Sequence, residues 1–192
     1  MNETKRRILD AAKELFATEG IKSTTVSEIA KAAGVAKGTI YKYFESKEEI
    51  LQEVIHQEAM KVYEEIDEAL RGSGTLREKL KNFIIYKLQA IQKRVNLHHI
   101  THKRFKDLSE ALRRELMFYY DHEVLLIKGL LQEAQQKGEI VVKNMDILAK
   151  ALGAVSREFD DPWMLEDKDL EKYIDALLDV LFEGLRPRKE GC

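Results

Sequence analysis

Apolar residues recur along most of this chain at intervals of three and four, and strict alternation is almost absent, so the pattern predicts helices from end to end. Ile8, Leu15 and Phe16 share one stripe over residues 2–19, which Gly20 closes. Val26, Ile29 and Ala30 mark a short helix beginning at Thr25, and residues 36–43 form a second after Gly34. Over 46–71, Leu51, Val54, Ile55, Val62, Tyr63, Ile66 and Leu70 repeat at helical spacing, and Gly72, Ser73 and Gly74 end the run. At ~1.5 Å per residue that rod is roughly 40 Å long. Leu80, Phe83, Ile84, Leu88 and Ile91 mark 75–95, a shorter histidine-rich segment occupies 96–107, and a long helix over 109–137 stops at Gly138. Leu148, Leu152 and Val155 belong to a helix starting at Asn144 or Asp146, in which Ala151, Gly153 and Ala154 allow close packing. After a break at Asp161 and Pro162, residues 167–186 carry Leu170, Tyr173, Ile174, Leu177, Leu178, Leu181, Phe182 and Leu185. That face is too wide for one neighbouring helix. The pattern predicts an all-α protein with an N-terminal three-helix unit over 1–47 and a C-terminal helical bundle over 48–192.

The segment 25–44 carries the most specific chemistry. Thr25 and Glu28 have the spacing of a capping box. Ala32 and Ala33 keep the first helix slim, and Gly34 supplies a turn that needs a left-handed backbone. Val35 plugs the space between the two helices, and Ile40 and Phe44 face inward. The result is a helix-turn-helix whose second helix would present its N-terminal residues to base edges in a major groove. No acidic residue occurs from Ile29 to Phe44, although 34% of the chain is charged. A surface cleared of carboxylates and carrying Lys31, Lys37 and Lys42 suits a polyphosphate, because each phosphate contact releases condensed counterions. Ala36 and Gly38 let a backbone come close, Thr39 can meet a phosphate or a thymine methyl, and the hydroxyls of Tyr41 and Tyr43 suit phosphate oxygens. Lys47 follows Ser46, which with Glu49 forms a second capping box, and so lies at a helix N-terminus that attracts phosphate.

Residues 5–51 resemble the DNA-binding domain of the tetracycline-repressor (TetR) family of bacterial transcriptional regulators. The resemblance rests on Ile8, Ala11, Ala12, Leu15, Phe16, Gly20, Thr24, Thr25, Val26, Ile29, Ala30, Ala33, Gly34, Val35, Gly38, Thr39, Tyr41, Tyr43, Phe44, Lys47 and Leu51. It covers about the first quarter of the chain. It implies that the third helix reads an operator, with DNA contacts at Thr25, Lys37, Gly38, Thr39, Tyr41, Lys42, Tyr43 and Lys47. It also implies a small-molecule effector, and a long helix from Ser46 that moves when the effector binds.

Composition narrows the setting. The 192 residues are enough for one large domain or two small ones with a real core. The formal charge of -2 hides a local difference: residues 1–50 hold 9 Lys/Arg against 8 Asp/Glu, and the remainder holds 23 against 26. Basic character belongs to the reading face alone. The single cysteine, Cys192, cannot form an intrachain disulfide, which fits a reducing cytoplasm. The polar, basic N-terminus lacks an apolar signal core, and no run approaches the ~18 apolar residues of a membrane span. A cytoplasmic protein without membrane partners is expected.

Surplus apolar surface on the last two helices predicts a homodimer through Leu152, Val155, Ile174, Leu177, Leu178 and Leu181, in an isologous four-helix interface. Dimeric readers require half-sites about one DNA turn apart, roughly 34–36 Å. Tyr63, Phe83, Tyr86, Phe105, Tyr119 and Tyr120, with Phe118 and Trp163, are candidates to line an effector cavity, although helical spacing equally suits ordinary core. The apolar helices favour a hydrophobic effector such as a fatty-acyl thioester. His98 and His102 stand one turn apart, but neither His99 nor His122 and Asp121 complete a ligand set by sequence, so no metal is assigned. Phosphate-loop, Rossmann, nucleophile-elbow and HExxH patterns are all absent from the chain. The sequence is therefore read as a ligand-responsive transcriptional regulator, a repressor binding a palindromic double-stranded operator as a dimer, with no cofactor beyond an unidentified small-molecule effector. A DNA binder without small-molecule control and a small helical enzyme are the alternatives.

Overall fold

The computed structural model describes residues 2–94, 96, 109–160 and 168–185. Among them are eight helices and no strand: α1 Glu3–Thr18, α2 Val26–Ala32, α3 Lys37–Ile40, α4 Lys47–Leu70, α5 Leu76–Gln92, α6 Glu110–Gln136, α7 Met145–Glu158 and α8 Leu170–Leu185. Most ends fall where the capping residues stand. Asn2 Oδ1 accepts from the Thr4 N–H at 2.8 Å, and Asn144 Oδ1 from the Ile147 N–H at 3.0 Å. Before α5, the Glu78 carboxylate accepts from both the backbone N–H and the hydroxyl of Thr75. Gly138, at φ +74°, lets the Glu139 N–H turn back to the Ala134 carbonyl and close α6.

The helices form two compact units, Met1–Lys61 with Ile91–Leu116, and Val62–Ala90 with Met117–Cys192. The division expected after residue 47 does not coincide with these units, because the first half of α4 packs with α1 and the chain passes between units inside a continuous helix. In the first unit, Ile8, Leu9, Ala12 and Phe16 of α1 are buried together with Ile29, Ile40 and Phe44, and with Ile50, Leu51, Val54 and Ile55 of α4. Each fully buried side chain of this size contributes roughly 1.5–3 kcal/mol. Polar ties fix the helix register. Lys5 pairs with Glu53 at 3.2 Å. Buried Asn96 donates its Nδ2 protons to the Lys13 carbonyl at 3.1 Å and to Glu58 Oε1 at 3.2 Å.

In the second unit the core includes Val62, Tyr63 and Ile66 of α4, Leu80, Phe83 and Ile84 of α5, Tyr119, Ile127 and Leu131 of α6, and Ala149 of α7. Ile174 and Leu178 of α8 belong to it as well, at 0% and 2% exposure. The set expected to dimerise therefore divides. Ile174 and Leu178 spend their surface inside the subunit, while Leu152, Leu177 and Leu181 are half-buried and Val155 is exposed. Ile147 and Val180 are outward apolar residues of α7 and α8 that the spacing alone did not single out, and Tyr173 of the predicted stripe is exposed as well. Arg77 and Lys81 of α5 pair with Asp175 of α8, but these partly exposed ion pairs add little to stability.

Ile174→Ala is expected to lower unfolding free energy by about 2–4 kcal/mol in urea titrations, as the loss of a packed core side chain. A change below about 0.5 kcal/mol is the size expected at an open surface site, and would remove Ile174 from the core.

Candidate nucleic-acid interface

The segment 25–44 folds as two helices joined by a tight turn. The Thr25 hydroxyl accepts from the Glu28 N–H at 3.3 Å, and Glu28 Oε2 accepts from the Thr25 N–H and hydroxyl, both at 2.7 Å. This reciprocal box holds the Glu28 carboxyl below its ordinary value, chiefly through the Thr25 hydroxyl and then its N–H, with Lys47 adding a smaller charge effect. At the other end of α2, the Val35 N–H reaches the Ala30 carbonyl at 3.0 Å and the Gly34 N–H the Lys31 carbonyl at 3.2 Å. Gly34 takes φ +64°, which a side chain resists. A Cβ there would also lie 2.6 Å from Arg7 Nη2, which donates to the carbonyls of Ala33 at 2.5 Å and Gly34 at 3.2 Å. Arg7 thus bolts α1 to the turn.

The third helix is shorter than its pattern predicts. Regular α-helix covers Lys37–Ile40 in place of 36–43, and the chain then tightens: Lys42 N–H reaches the Thr39 carbonyl and Tyr43 N–H the Ile40 carbonyl. The tightening carries Phe44 into the core beside buried Ile40. The outward face then consists of Lys37, Gly38, Tyr41 and Lys42, with Thr39 and Tyr43 half-buried at its edges. Tyr41 is 52% exposed, a large aromatic held in solvent. Gly38 has no positive φ, and a Cβ there would meet nothing within 4 Å. Among the described residues no contact requires a glycine there, although glycine costs a helix ~1 kcal/mol relative to alanine.

Lys47 and the basic N-terminal run have occupations the spacing did not reveal. Lys47 Nζ donates to the carbonyls of Ile21 and Thr24, both at 2.8 Å, and Lys22 at 3.4 Å. Its ammonium pins the α1–α2 loop and so sets where Thr25 begins. The Thr24 hydroxyl completes that loop, donating to the Gly20 carbonyl at 2.9 Å. Of Lys5, Arg6 and Arg7, the first pairs with Glu53 and lies over the Phe44 ring at 5.4 Å, the third holds the turn, and Arg6 is exposed.

Of the residues proposed to line an effector cavity, Tyr63, Phe83, Tyr86, Phe118, Tyr119 and Tyr120 fall in the second unit. The Tyr63 hydroxyl donates to the Tyr119 carbonyl, and their rings lie 5.0 Å apart. Tyr119 and Tyr120 meet edge to face, and Arg157 covers the Tyr120 ring at 4.6 Å. Tyr86 is half-buried. Phe83 borders a narrow apolar niche of about 20 Å³ with Leu80, Ile127, Leu152, Val155 and Ser156. Phe105 lies outside the described residues, as do His98, His99, His102, Asp161, Pro162, Trp163 and Cys192. Among the described residues no cluster of metal-ligating side chains occurs, and no helix is long and apolar enough to cross a membrane.

Beside these tyrosines lies a buried ionic cluster that spacing had not identified. Lys87 Nζ stands 2.8 Å from Asp160 Oδ1 and 3.3 Å from Glu123 Oε1, and donates to the Ser156 carbonyl and hydroxyl, both at 2.8 Å. Burial works to lower the Lys87 pKa, but the Asp160 and Glu123 carboxylates outweigh it and hold the ammonium above its ordinary value. Burial, reinforced by the same carboxylates, pushes the Tyr63, Tyr119 and Tyr120 hydroxyls up, so they stay protonated. The signal was present: Lys87 sits one turn from Phe83 and one from Ile91, a charge inside an apolar stripe.

The model of the bacterial regulatory proteins, tetR family, matches residues 8–54, from α1 into α4. Over most of its length the sequence is similar to the fatty acid metabolism regulator protein of Bacillus subtilis (strain 168), 31% identical over 184 residues that cover 93% of this chain and 94% of that protein. The fold is similar to that of the transcriptional regulator FadR from Bacillus subtilis in complex with stearoyl-CoA, with TM-score 0.72 and 28% identity over 94% of this chain and 99% of the other. It is similar as well to the fatty acid degradation regulator FadR from Bacillus halodurans, with TM-score 0.72 and 26% identity over 98% and 99% of the two chains.

Thr25→Ala should return the Glu28 carboxyl towards 4.5 in a carboxyl-detected NMR titration, and loss of the cap should cost about 1 kcal/mol. Because the folded value is depressed, the box stabilises fully above the ordinary value and is lost as pH falls through the folded one. An unmoved Glu28 titration would show that the box does not set it.

Proposed function

We propose a function from one premise: the chain belongs to the tetR family of bacterial regulatory proteins. It is a DNA-binding transcriptional regulator and not an enzyme. As a dimer it represses transcription by binding a palindromic operator, and a fatty-acyl thioester releases it. The observation that carries the DNA reading is the outward face of α3 and the turn that follows it, where Lys37, Gly38, Tyr41 and Lys42 are exposed without a carboxylate between them. Thr25, Thr39 and Tyr43 flank that face, and Lys47 positions it. Similarity to a regulator solved with stearoyl-CoA supports the acyl thioester, as does the apolar interior of the second unit. Ile147 and Val155 on α7, with Tyr173 and Val180 on α8, leave apolar surface that a second copy would cover.

Control follows from linkage. Only an effector that binds a DNA-incompetent state more tightly can release the operator, and each tenfold loss of DNA affinity needs about 1.4 kcal/mol of differential binding. Helix α4 contributes to both units and is the continuous element through which such a difference can pass.

Fluorescence anisotropy on an operator duplex tests the proposal. Stearoyl-CoA should weaken binding at least tenfold, and Tyr41→Ala with Lys42→Ala should weaken it about a hundredfold while leaving helicity intact. Loss of one lysine contact should also reduce the salt slope by ~0.9. Unchanged affinity in the double variant would move the reading face elsewhere, and indifference to the thioester would leave a regulator under other control. Separately, Val180→Asp, at a position 73% exposed, should shift sedimentation from dimer to monomer. A dimer that survives this change would place the interface away from the outer face of α8.

A further inference from the structure

Successive turns of α6 face different surroundings inside the second unit. Ile127 borders the apolar niche, Glu123 lies in the ionic cluster one turn before it, and Tyr119 packs against the Tyr63 ring one turn before that. Helix α5 repeats the pattern, with Phe83 in the niche and Lys87 one turn on in the cluster. Running out of the niche, the order is therefore apolar wall, carboxylate, phenol.

Glu123 and Tyr119 each carry a group with nothing to bond. Glu123 Oε1 accepts from Lys87, but Glu123 Oε2 has no partner among the described residues, and neither has the Tyr119 hydroxyl. Both residues are buried, at 0% and 1% exposure. Burial holds the proton on Tyr119, so its hydroxyl remains a donor, while Glu123 Oε2 is an acceptor. Donor and acceptor stand one turn apart on one helix and do not satisfy each other. Leaving both unmade in a dry interior is costly, and native cores rarely do so. A molecule that answers them must carry an acceptor and a donor of its own, a few bonds apart.

An acyl chain seated in the niche meets Glu123 before Tyr119. It must therefore carry a donor on the chain side and a carbonyl beyond it. A saturated thioester has the carbonyl and lacks the donor. A hydroxyl on carbon 3 supplies it, and oxygens on carbons 1 and 3 can span side chains whose Cβ atoms are about 5–6 Å apart.

We propose that Tyr119 and Glu123 form a head-group site selective for 3-hydroxyacyl thioesters, in which the Tyr119 hydroxyl donates to the thioester carbonyl and the 3-hydroxyl donates to Glu123 Oε2. The inference rests on the acyl-effector reading above. At about 20 Å³ the niche admits the chain only when the helices around it part. Saturated thioesters still bind through chain and carbonyl, but leave Glu123 Oε2 unanswered. The phosphates of a CoA thioester lie many bonds beyond the sulfur, so their charge does not enter the pair. Chain, carbonyl and hydroxyl are fixed separately, so the site distinguishes the enantiomers of the 3-hydroxyl.

Calorimetry on the full-length protein compares dodecanoyl-CoA with each enantiomer of 3-hydroxydodecanoyl-CoA. One enantiomer should bind at least about tenfold more tightly than the saturated thioester, since it satisfies a buried acceptor that the other leaves bare. Glu123→Leu removes that acceptor and leaves Lys87 its contacts with Asp160 and Ser156. It should bring the hydroxylated and saturated thioesters within about threefold of each other. Tyr119→Phe serves where the first variant fails to fold. It should weaken dodecanoyl-CoA about fivefold and spare S-dodecyl-CoA, which lacks the carbonyl. Equal wild-type affinities would assign the pair to a buried water and overturn the selectivity alone. Variants that weaken every ligand in parallel would make both residues structural, and overturn it too. If neither these thioesters nor stearoyl-CoA binds, the acyl-effector reading falls and the site with it.

Discussion

A helix of four residues cannot hold itself together in water, and everything the N-terminal unit does depends on one that is held from outside. The α-helix of the reading segment is limited to Lys37–Ile40. Its direction is set by two buried anchors, Ile40 and Phe44, and by a turn at Gly34 that Arg7 grips through two carbonyls. Burial on one side leaves the other side free, and that free side is the basic, acid-free face. The same constraint explains why so many cations nearby are turned inward. Lys47, Arg7 and Lys5 hold loop, turn and helix in register, so that Lys37 and Lys42 can remain exposed.

The second unit obeys a different constraint. Among its described residues the core is largely apolar, and α5, α6 and α7 bring the buried polar side chains of Lys87, Glu123 and Ser156 together with Asp160 just beyond α7. Buried ion pairs are poor sources of stability, because the cost of removing charges from water is comparable to their attraction.

Much of this was legible in the sequence because local rules and tertiary packing agree there. Thr25 with Glu28 announced a helix start that the hydrogen bonds confirm, and Gly34 announced a left-handed turn. Ile40 and Phe44 were placed inward from spacing alone. What escaped was whatever depends on partners distant in sequence. Lys47 stands 26 residues from the Ile21 carbonyl that it holds, so its spacing suggested a phosphate ligand and could not reveal a loop clamp. The third helix was read too long, since helical spacing cannot distinguish an α-turn from the tighter one that buries Phe44. Ile174 and Leu178 share a stripe with Leu177 and Leu181, and only the packed bundle decides which of them face inward. Lys87 and Glu123 broke apolar stripes visibly, but their meeting with Asp160 required the fold.

The central claim is that the exposed face of α3 reads a specific operator. Selection of bound sequences from a random duplex library, at ~150 mM salt so that counterion release does not mask specificity, tests it most directly. The account predicts a two-fold symmetric motif whose half-sites are separated by about one helical turn, roughly 34–36 Å. Recovery of no motif, with binding that merely follows salt concentration, would contradict it.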